Sequence, residues 1–278
     1  KRLGMLATGK NAWMKLVDSD GKLRHTINPL GCVTGRASSF GPNLQQVPAT
    51  RAAYGKECRE LFTVPDGYAL VNSDLSGIEL RCLAHFLPDG GEYGRKILEG
   101  DIHQVNADAA GISRDQAKTM IYALCYGAGD QRMGEILGKG SKEGKALKER
   151  FFKANPAFSS LLRQIKEAVK KRGHLLGLDG RQLTVRSEHA ALNVLLQSAG
   201  ALIAKKWVQL IDQEMKRQNL DATMIAWIHD EVAVQTREDT EIVGTLTRRM
   251  AQEAGKHFGV KLPIGAEYQV GRSWADTH

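Results

Sequence analysis

The sequence has 278 residues, of which 42% are hydrophobic and 25% charged, and its formal net charge is +8. A chain of this size can bury a substantial core in one large domain or two smaller ones. The first ten residues lack the apolar core of a signal peptide, and the longest apolar stretch, 190–204, is interrupted by Asn193 and Gln197, so neither export nor membrane insertion is supported.

The spacing of cysteines and glycines argues against a zinc site, a disulfide scaffold and a P-loop. The four cysteines are widely separated and match neither a zinc site nor a disulfide scaffold, so we expect reduced core cysteines in a cytosol-like compartment. The glycine-rich segment 138–145 lacks the P-loop pattern, because position 139 is Lys rather than Gly.

The first third of the chain predicts a hairpin, a strand and a helix. Residues 12–28 have the pattern of a hairpin turned at an Asp-Gly pair. An apolar strand over 67–76 carries Asp74 near its end, and residues 77–87 follow with helical periodicity.

The middle of the chain is helical and basic. A helix over 113–126 begins at Ser113, a good N-cap, and ends at Gly127. Helices over 141–154 and 157–172 follow. Between residues 139 and 172 there are eleven Lys or Arg against three Glu, which accounts for the whole net charge. This stretch is either a solvated basic face or an electrostatic surface for a polyanion such as nucleic acid.

The last third predicts a small hairpin at 179–180, a long helix over 188–218, a strand pair over 224–234, a helix over 238–258 and a strand over 264–271. Strands therefore cluster at both ends of the chain, with helices between them. This order predicts an α+β fold in which a mixed sheet is interrupted by a helical insertion.

Acidic residues stand where two apolar strands end. His229, Asp230 and Glu231 separate the apolar runs 224–228 and 232–234. Adjacent strands of one sheet would bring Asp74 beside Asp230, and paired carboxylates of this kind suit Mg²⁺. The alternative is two solvent-exposed acidic turns.

The helix at 113–126 carries a basic and aromatic stripe. Arg114, Lys118, Tyr122 and Tyr126 recur every four residues, so they drift only about 40° per step along one face. This face would suit a nucleoside triphosphate, with the phosphates at the cationic end. The alternative is a partly exposed helix with two extended cationic side chains and two half-buried tyrosines.

Six stretches carry a resemblance to a known family: TGRASSFGPNLQQVP (34–48), DLSGIELRCLAHF (74–86), GDIH (100–103), RDQAKTMIYALCYGAG (114–129), HAALNVLLQSAGAL (189–202) and HDE (229–231). The resemblance rests on the order and spacing of these stretches, and it extends over nearly the whole chain. They resemble the C-terminal part of family A, polymerase-I-like DNA polymerases, and above all the replicative enzymes of tailed bacteriophages.

The resemblance implies a right-hand polymerase architecture, with an antiparallel palm sheet packed by helices and an inserted helical fingers subdomain. The implied boundaries are 1–24 for a thumb remnant and entry hairpin, 25–87 for the first part of the palm, 88–190 for the fingers and 191–278 for the second part of the palm.

The resemblance also implies the reaction, which is template-directed DNA synthesis by two-metal phosphoryl transfer. Asp74 and Asp230 would bridge two Mg²⁺ ions, with the Leu75 carbonyl as a further ligand. Glu231 would be a supporting carboxylate, and Lys118 would act at the reacting phosphate.

The substrate contacts follow by the same resemblance. Arg114, Lys118 and His103 would grip the dNTP triphosphate, Tyr122 would stack on the deoxyribose, and Glu79 would exclude a 2′-hydroxyl. The residues implied to contact primer-template DNA are Arg36, Asn193 and Gln197 in the minor groove, His229 at the primer terminus, and Tyr126 and Gly127 near the templating base.

Family members usually carry an exonuclease domain and a full thumb upstream, whereas the resemblance here begins at KRLGML. We expect those parts in a longer chain or on a separate subunit, so a split polymerase and a trimmed chain both stay open. A processivity factor is a further possible partner, no membrane partner is expected, and a phage-encoded enzyme would work in the host cytoplasm.

Three other functions are weighed against this one. A single-subunit RNA polymerase uses a similar palm, but Glu79 against the sugar should exclude ribose. A DNA-binding subunit without catalysis would not need both aspartates together with Arg114 and Lys118. A metal-dependent nuclease would have no use for the triphosphate-type stripe.

Overall fold

The computed structural model describes residues 4–88 and 91–278. The described residues form two compact units, each built from separate stretches of chain. Lys1–Ser76, Ala201–Ala254 and Gly265–His278 make up the first unit, and Gly77–Gly200 and Gly255–Ile264 make up the second.

In the described ranges the α-helices are α1 (Trp13–Leu16), α2 (Gly55–Glu60), α3 (Ile78–Phe86), α4 (Glu92–Glu99), α5 (Ile102–Ala110), α6 (Arg114–Cys125), α7 (Asp130–Ile136), α8 (Ser141–Ala154), α9 (Pro156–Arg172), α10 (Ala191–Arg217) and α11 (Thr240–His257). The strands are β1 (Thr26–Asn28), β2 (Ser38–Phe40), β3 (Ala69–Leu75), β4 (His174–Leu176), β5 (Gln182–Thr184), β6 (Ala222–Ile228), β7 (Glu231–Thr236) and β8 (Ala266–Gly271).

The first unit is organised around a four-stranded sheet of order β6-β7-β3-β8. Every neighbouring pair in it is antiparallel. The α+β class and the antiparallel sheet implied by the family resemblance are therefore confirmed, whereas the mixed sheet predicted from the order of the elements is wrong. The connections explain the antiparallel pairing. A tight hairpin joins β6 to β7, and both neighbours of β3, which are β7 and β8, run opposite to it. Leu70 to Ser73 are all buried, as expected for a central strand covered on both faces.

An aromatic cluster lies beside this sheet. Trp13 meets Phe62 edge to face at 5.1 Å, and Phe62 meets Trp274 in the same way at 5.5 Å. Burial of Trp13 explains one wrong prediction, because the segment expected to be the first strand of a hairpin forms the one-turn helix α1 instead. The predicted turn is present, with the Asp18 N–H donating to the Lys22 carbonyl at 2.9 Å.

The second unit is mostly helical, and the helices predicted for it from the sequence begin and end close to the observed positions. Helix α6 starts with a capping box in which Ser113 and Gln116 satisfy each other's backbone N–H groups. Helices α8 and α9 meet at Asn155 and carry the basic stretch. The predicted helices and the small β4–β5 hairpin are confirmed. In the described part of the chain, no helix combines the length and apolar character needed to span a bilayer.

Candidate active site

In the first unit, acidic residues from the three strands β3, β7 and β8 meet at one end of the sheet. Asp74 at the end of β3 pairs in register with Glu231 of β7 on one side and Glu267 of β8 on the other. The Leu75 N–H donates to the carbonyl of Asp230 at 3.0 Å. The expected adjacency of the two strand ends is therefore confirmed, and Glu267 joins them without having been predicted.

The turn between β6 and β7 contains two of the predicted site residues. His229 and Asp230 form a two-residue connection, in which His229 takes a left-handed backbone conformation with φ 60°. The Trp227 indole N–H donates to the His229 carbonyl at 2.9 Å, which ties the turn to its own strand. His229 is exposed and Asp230 is half-buried, so both stand at the surface rather than in the core.

Burial and the neighbouring negative charges raise the pKa of Asp74. Partial enclosure of its carboxyl group, followed by the charges of Asp230, Glu231 and Glu267, raises the pKa of Asp74 to about 7. The residue itself retains solvent exposure at the strand end, so a cation can reach the carboxylate. The part of this shift that comes from the three neighbouring carboxylates is a concentration of negative charge that a bound cation would offset.

The pKa of Glu231 shifts in the opposite direction from that of Asp74. Burial acts to raise its pKa, but hydrogen bonds from His278, Trp274 and Asn72, together with the charge on His278, bring the pKa of Glu231 below its usual value. The donor-to-oxygen distances are 2.9 Å from Asn72, 2.6 Å from Trp274 and 3.2 Å from His278. Glu231 is thus held as a charged carboxylate.

Within residues 4–88 and 91–278, no three His, Cys, Asp or Glu side chains form a group that could hold a metal ion. The expected set needs only two such side chains, Asp74 and Asp230, with the Leu75 carbonyl as the third donor. All three donors are oxygens, which is the chemistry that Mg²⁺ prefers. The donor set fits the ion, and metal binding remains a prediction.

In the second unit, one face of α6 presents the basic and aromatic stripe. Arg114 and Lys118 are exposed and Tyr122 is half-buried, whereas Ala117 and Met120 on the other side are buried. Arg114 is held by Asp101, with Nε 2.5 Å from Oδ2. Asp101 also accepts from the N–H groups at the start of α5, so one carboxylate orients Arg114 and caps a helix.

His103 lies beside this stripe. Its ring centroid is 6.2 Å from that of Tyr122. Burial lowers the pKa of His103, the charge of Asp101 opposes that effect, and the charges of Lys118 and Arg114 reinforce it. Its Nδ1 is buried and meets no hydrogen-bond partner among the described residues. The neutral imidazole of His103 therefore lies near the cationic side chains of Arg114 and Lys118, and its Nδ1 has no hydrogen-bond partner among the described residues.

The C-terminal end of α6 is tied to α3. The Tyr126 hydroxyl donates to Oε1 of Glu79 at 3.1 Å, a contact that sequence reasoning did not foresee. Gly127 follows with φ 76°. Its α-carbon passes so close to the His189 backbone that a Cβ would lie 2.9 Å from the His189 carbonyl carbon, so only glycine fits here.

The residues expected to contact DNA are divided between the units. Asn193 and Gln197 lie one turn apart on α10 and are both half-buried, whereas Arg36 and His229 belong to the first unit. Arg36 is half-buried in the connection between β1 and β2, where its carbonyl accepts from Cys32 at 3.1 Å. Their contacts with DNA remain predictions.

Five residues near these clusters were missed by sequence reasoning: Asn72, Asp101, Glu267, Trp274 and His278. Asp101 had a local signal, because an Asp before a helical segment is a favoured N-cap. The other four had none, since their importance comes from partners that are distant in the sequence.

Comparisons with known proteins bear on the family and the fold of the chain. Residues 5–276 match the family described as DNA polymerase family A. The chain is 41% identical to the DNA-directed DNA polymerases of Enterobacteria phage T3 and of Escherichia phage T7, and in both cases the match covers 100% of this chain and 44% of the relative. The chain thus spans less than half the length of these curated relatives.

A solved structure shows the same fold. It is the POL domain of Pol1 from M. smegmatis in complex with DNA primer-template and dNTP, with a TM-score of 0.86 and 28% sequence identity. The match covers 95% of this chain and 50% of that chain.

Proposed function

The chain belongs to DNA polymerase family A, and from this premise we propose that it catalyses template-directed addition of deoxynucleoside triphosphates to a primer 3′-hydroxyl, with release of pyrophosphate. The observation that carries the proposal is that Asp74 and Asp230 lie at the same end of the sheet. There the backbone N–H of Leu75, the residue after Asp74, donates to the backbone carbonyl of Asp230. Such a pair of carboxylates is suited to phosphoryl transfer assisted by divalent ions.

Asp74, Asp230 and the Leu75 carbonyl would hold two Mg²⁺ ions. When bound, Mg²⁺ lowers the pKa of a coordinated hydroxyl and stabilises negative charge on a transferring phosphoryl group. The protein's own part is to bring the oxygen ligands together on rigid strands. Burial is the largest cause of the raised pKa of Asp74, and the charges of Asp230, Glu231 and Glu267 add to it. Those charges support this role, because a site that concentrates negative charge favours a cation.

The stripe on α6 would bind the incoming nucleotide. Arg114, oriented by Asp101, and Lys118 would hold the phosphates, and His103 would join them at the triphosphate. Tyr122 would pack on the deoxyribose. Glu79, held by Tyr126 at 3.1 Å, would stand where a 2′-hydroxyl would clash, and this would select deoxyribose over ribose.

Primer-template DNA would contact Arg36, Asn193, Gln197 and His229, and the templating base would lie near Tyr126 and Gly127. Because the chain spans 44% of its phage relatives, we further propose that it is the polymerase part of a larger or split replicative enzyme. An exonuclease and thumb portion, on the same or another chain, and a processivity factor are the proposed partners.

Primer extension by the purified chain with Mg²⁺ tests the proposal. The wild-type chain should extend a primer with deoxynucleotides but not with ribonucleotides, and Asp74→Asn and Asp230→Asn should each abolish extension. Asp221→Asn is a matched control, because Asp221 precedes β6 at the opposite end of the same hairpin and should leave extension intact.

Retained activity in either active-site variant would contradict the proposed metal ligands. Efficient ribonucleotide incorporation would instead favour an RNA polymerase. If the chain alone is inactive, the upstream portion of a phage relative is added in trans, and failure of that mixture to extend the primer would refute catalysis.

A further inference from the structure

Glu231 is anchored through one of its two oxygens. The amide of Asn72, the indole of Trp274 and the imidazole of His278 all contact Oε1, at 2.9, 2.6 and 3.2 Å. In the part of the chain that the structure describes, the hydrogen bonds to this carboxylate all end on Oε1. The side chain is therefore fixed through one oxygen, and Oε2 receives no hydrogen bond from the described residues.

The indole of Trp274 is the most rigid of these donors. An indole N–H can only donate, and Trp274 is 6% exposed. Its ring is held at 5.5 Å by Phe62 and covered by the Arg59 guanidinium, 4.4 Å from the ring centroid. Little freedom remains for the indole to turn away from the carboxylate.

Asn72 supplies a second rigid donor. It is 5% exposed on the central strand β3, two residues before Asp74. Side chains alternate along a strand, so Asn72 and Asp74 share one face of the sheet. Glu231 is paired directly with Asp74, and directly opposed residues lie on the same face. The anchored carboxylate thus lies beside the acidic edge.

We propose that Trp274, supported by Asn72, is a positioning residue that fixes Glu231 through Oε1 and keeps Oε2 available to the reacting groups beside Asp74. This inference rests on the proposed polymerase function and adds to it a specific requirement: the orientation of Glu231 limits the rate of nucleotide addition. Trp274 acts only through Glu231 and does not itself touch the substrate.

Trp274→Phe removes the indole donor while keeping an aromatic ring against Phe62. The maximal rate of single-nucleotide incorporation should fall on the order of 10-fold, the usual scale for groups that orient a reactive side chain. The KM for dNTP and the affinity for primer-template should change by less than about 2-fold, because neither contact involves Trp274.

Trp13→Phe is the matched control. Trp13 is buried in the same aromatic cluster, 5.1 Å from Phe62, but its indole nitrogen has no hydrogen-bond partner among the described residues. This variant loses the same part of a tryptophan without loosening Glu231. Its incorporation rate should stay within about 2-fold of wild type.

A double-mutant cycle separates positioning from a general loss of packing. If Trp274 acts through Glu231, then Trp274→Phe should slow a Glu231→Gln enzyme no further, whereas independent effects would multiply. The contact itself is checked without any activity, by the ¹⁵N-indole NMR resonances. Glu231→Gln should shift the Trp274 N–H resonance and leave that of Trp13 in place.

Equal rates in the two tryptophan variants, multiplied effects in the cycle, or an unmoved Trp274 resonance would each overturn the inference. These results are distinguishable from failure of the proposed function, because that failure is an inactive wild-type enzyme with and without the upstream portion.

Discussion

Replacing Gly127 by Ala should destabilise the second unit strongly, and the structure allows the cost to be divided into two parts. Gly127 has φ 76°, a left-handed conformation that costs an L-residue with a side chain about 1–2 kcal/mol. The new methyl group would also overlap the carbonyl oxygen of His189 and lie 2.9 Å from its carbonyl carbon.

The steric part cannot be relieved by a change of rotamer, because the obstacle is backbone. Forcing a methyl group into filled space costs about 1–3 kcal/mol. The two parts together give a loss of about 2–5 kcal/mol, which is a large share of the roughly 5–15 kcal/mol that stabilises a typical domain.

Gly138→Ala is the control for this prediction. Gly138 lies in the same unit with φ 66°, and a Cβ there would meet nothing within 4 Å. This variant should therefore show only the conformational part, about 1–2 kcal/mol. Urea unfolding followed by far-UV circular dichroism gives both losses. Hydrogen exchange should localise the Gly127→Ala loss to the end of α6 and the Gly138→Ala loss to the end of α7. If Gly127→Ala costs no more than Gly138→Ala, the close approach to His189 is refuted.

Three further predictions concern the second unit. Tyr122→Phe should raise discrimination against dideoxynucleotides about 10-fold, the value of one hydrogen bond of about 1.4 kcal/mol; unchanged incorporation ratios would contradict its place at the sugar. Asp101→Asn should loosen Arg114 and raise the KM for dNTP several-fold, whereas Asp108→Asn on the same helix should not; equal KM values would refute the orienting role. The pKa of His103 in the folded protein lies below the unfolded value of 6.5, so the unfolded state binds the proton more readily. Stability should therefore fall as the pH drops below about 6.5. Urea titrations of His103→Asn should show a smaller loss of stability in acid, and an unchanged loss would argue against the buried neutral ring.

Much of the local structure was available from the sequence. The capping box at Ser113, the periodicity of α6 and the apolar runs around His229 all depend on residues a few positions apart. These interactions form within one helix or one hairpin. For the same reason, the sequence located the end of β3 at Asp74 and placed Asp230 in a turn.

The family resemblance named most of the candidate site, but the identities of the partners came from the tertiary structure. Glu231 is joined to Asn72 across 159 positions and to Trp274 across 43, and no local pattern encodes such a pairing. The antiparallel arrangement of β3 and the helix at Trp13 also depended on packing. Only the folded chain decides which distant groups share one desolvated surface, because that depends on the path of the backbone rather than on local preference.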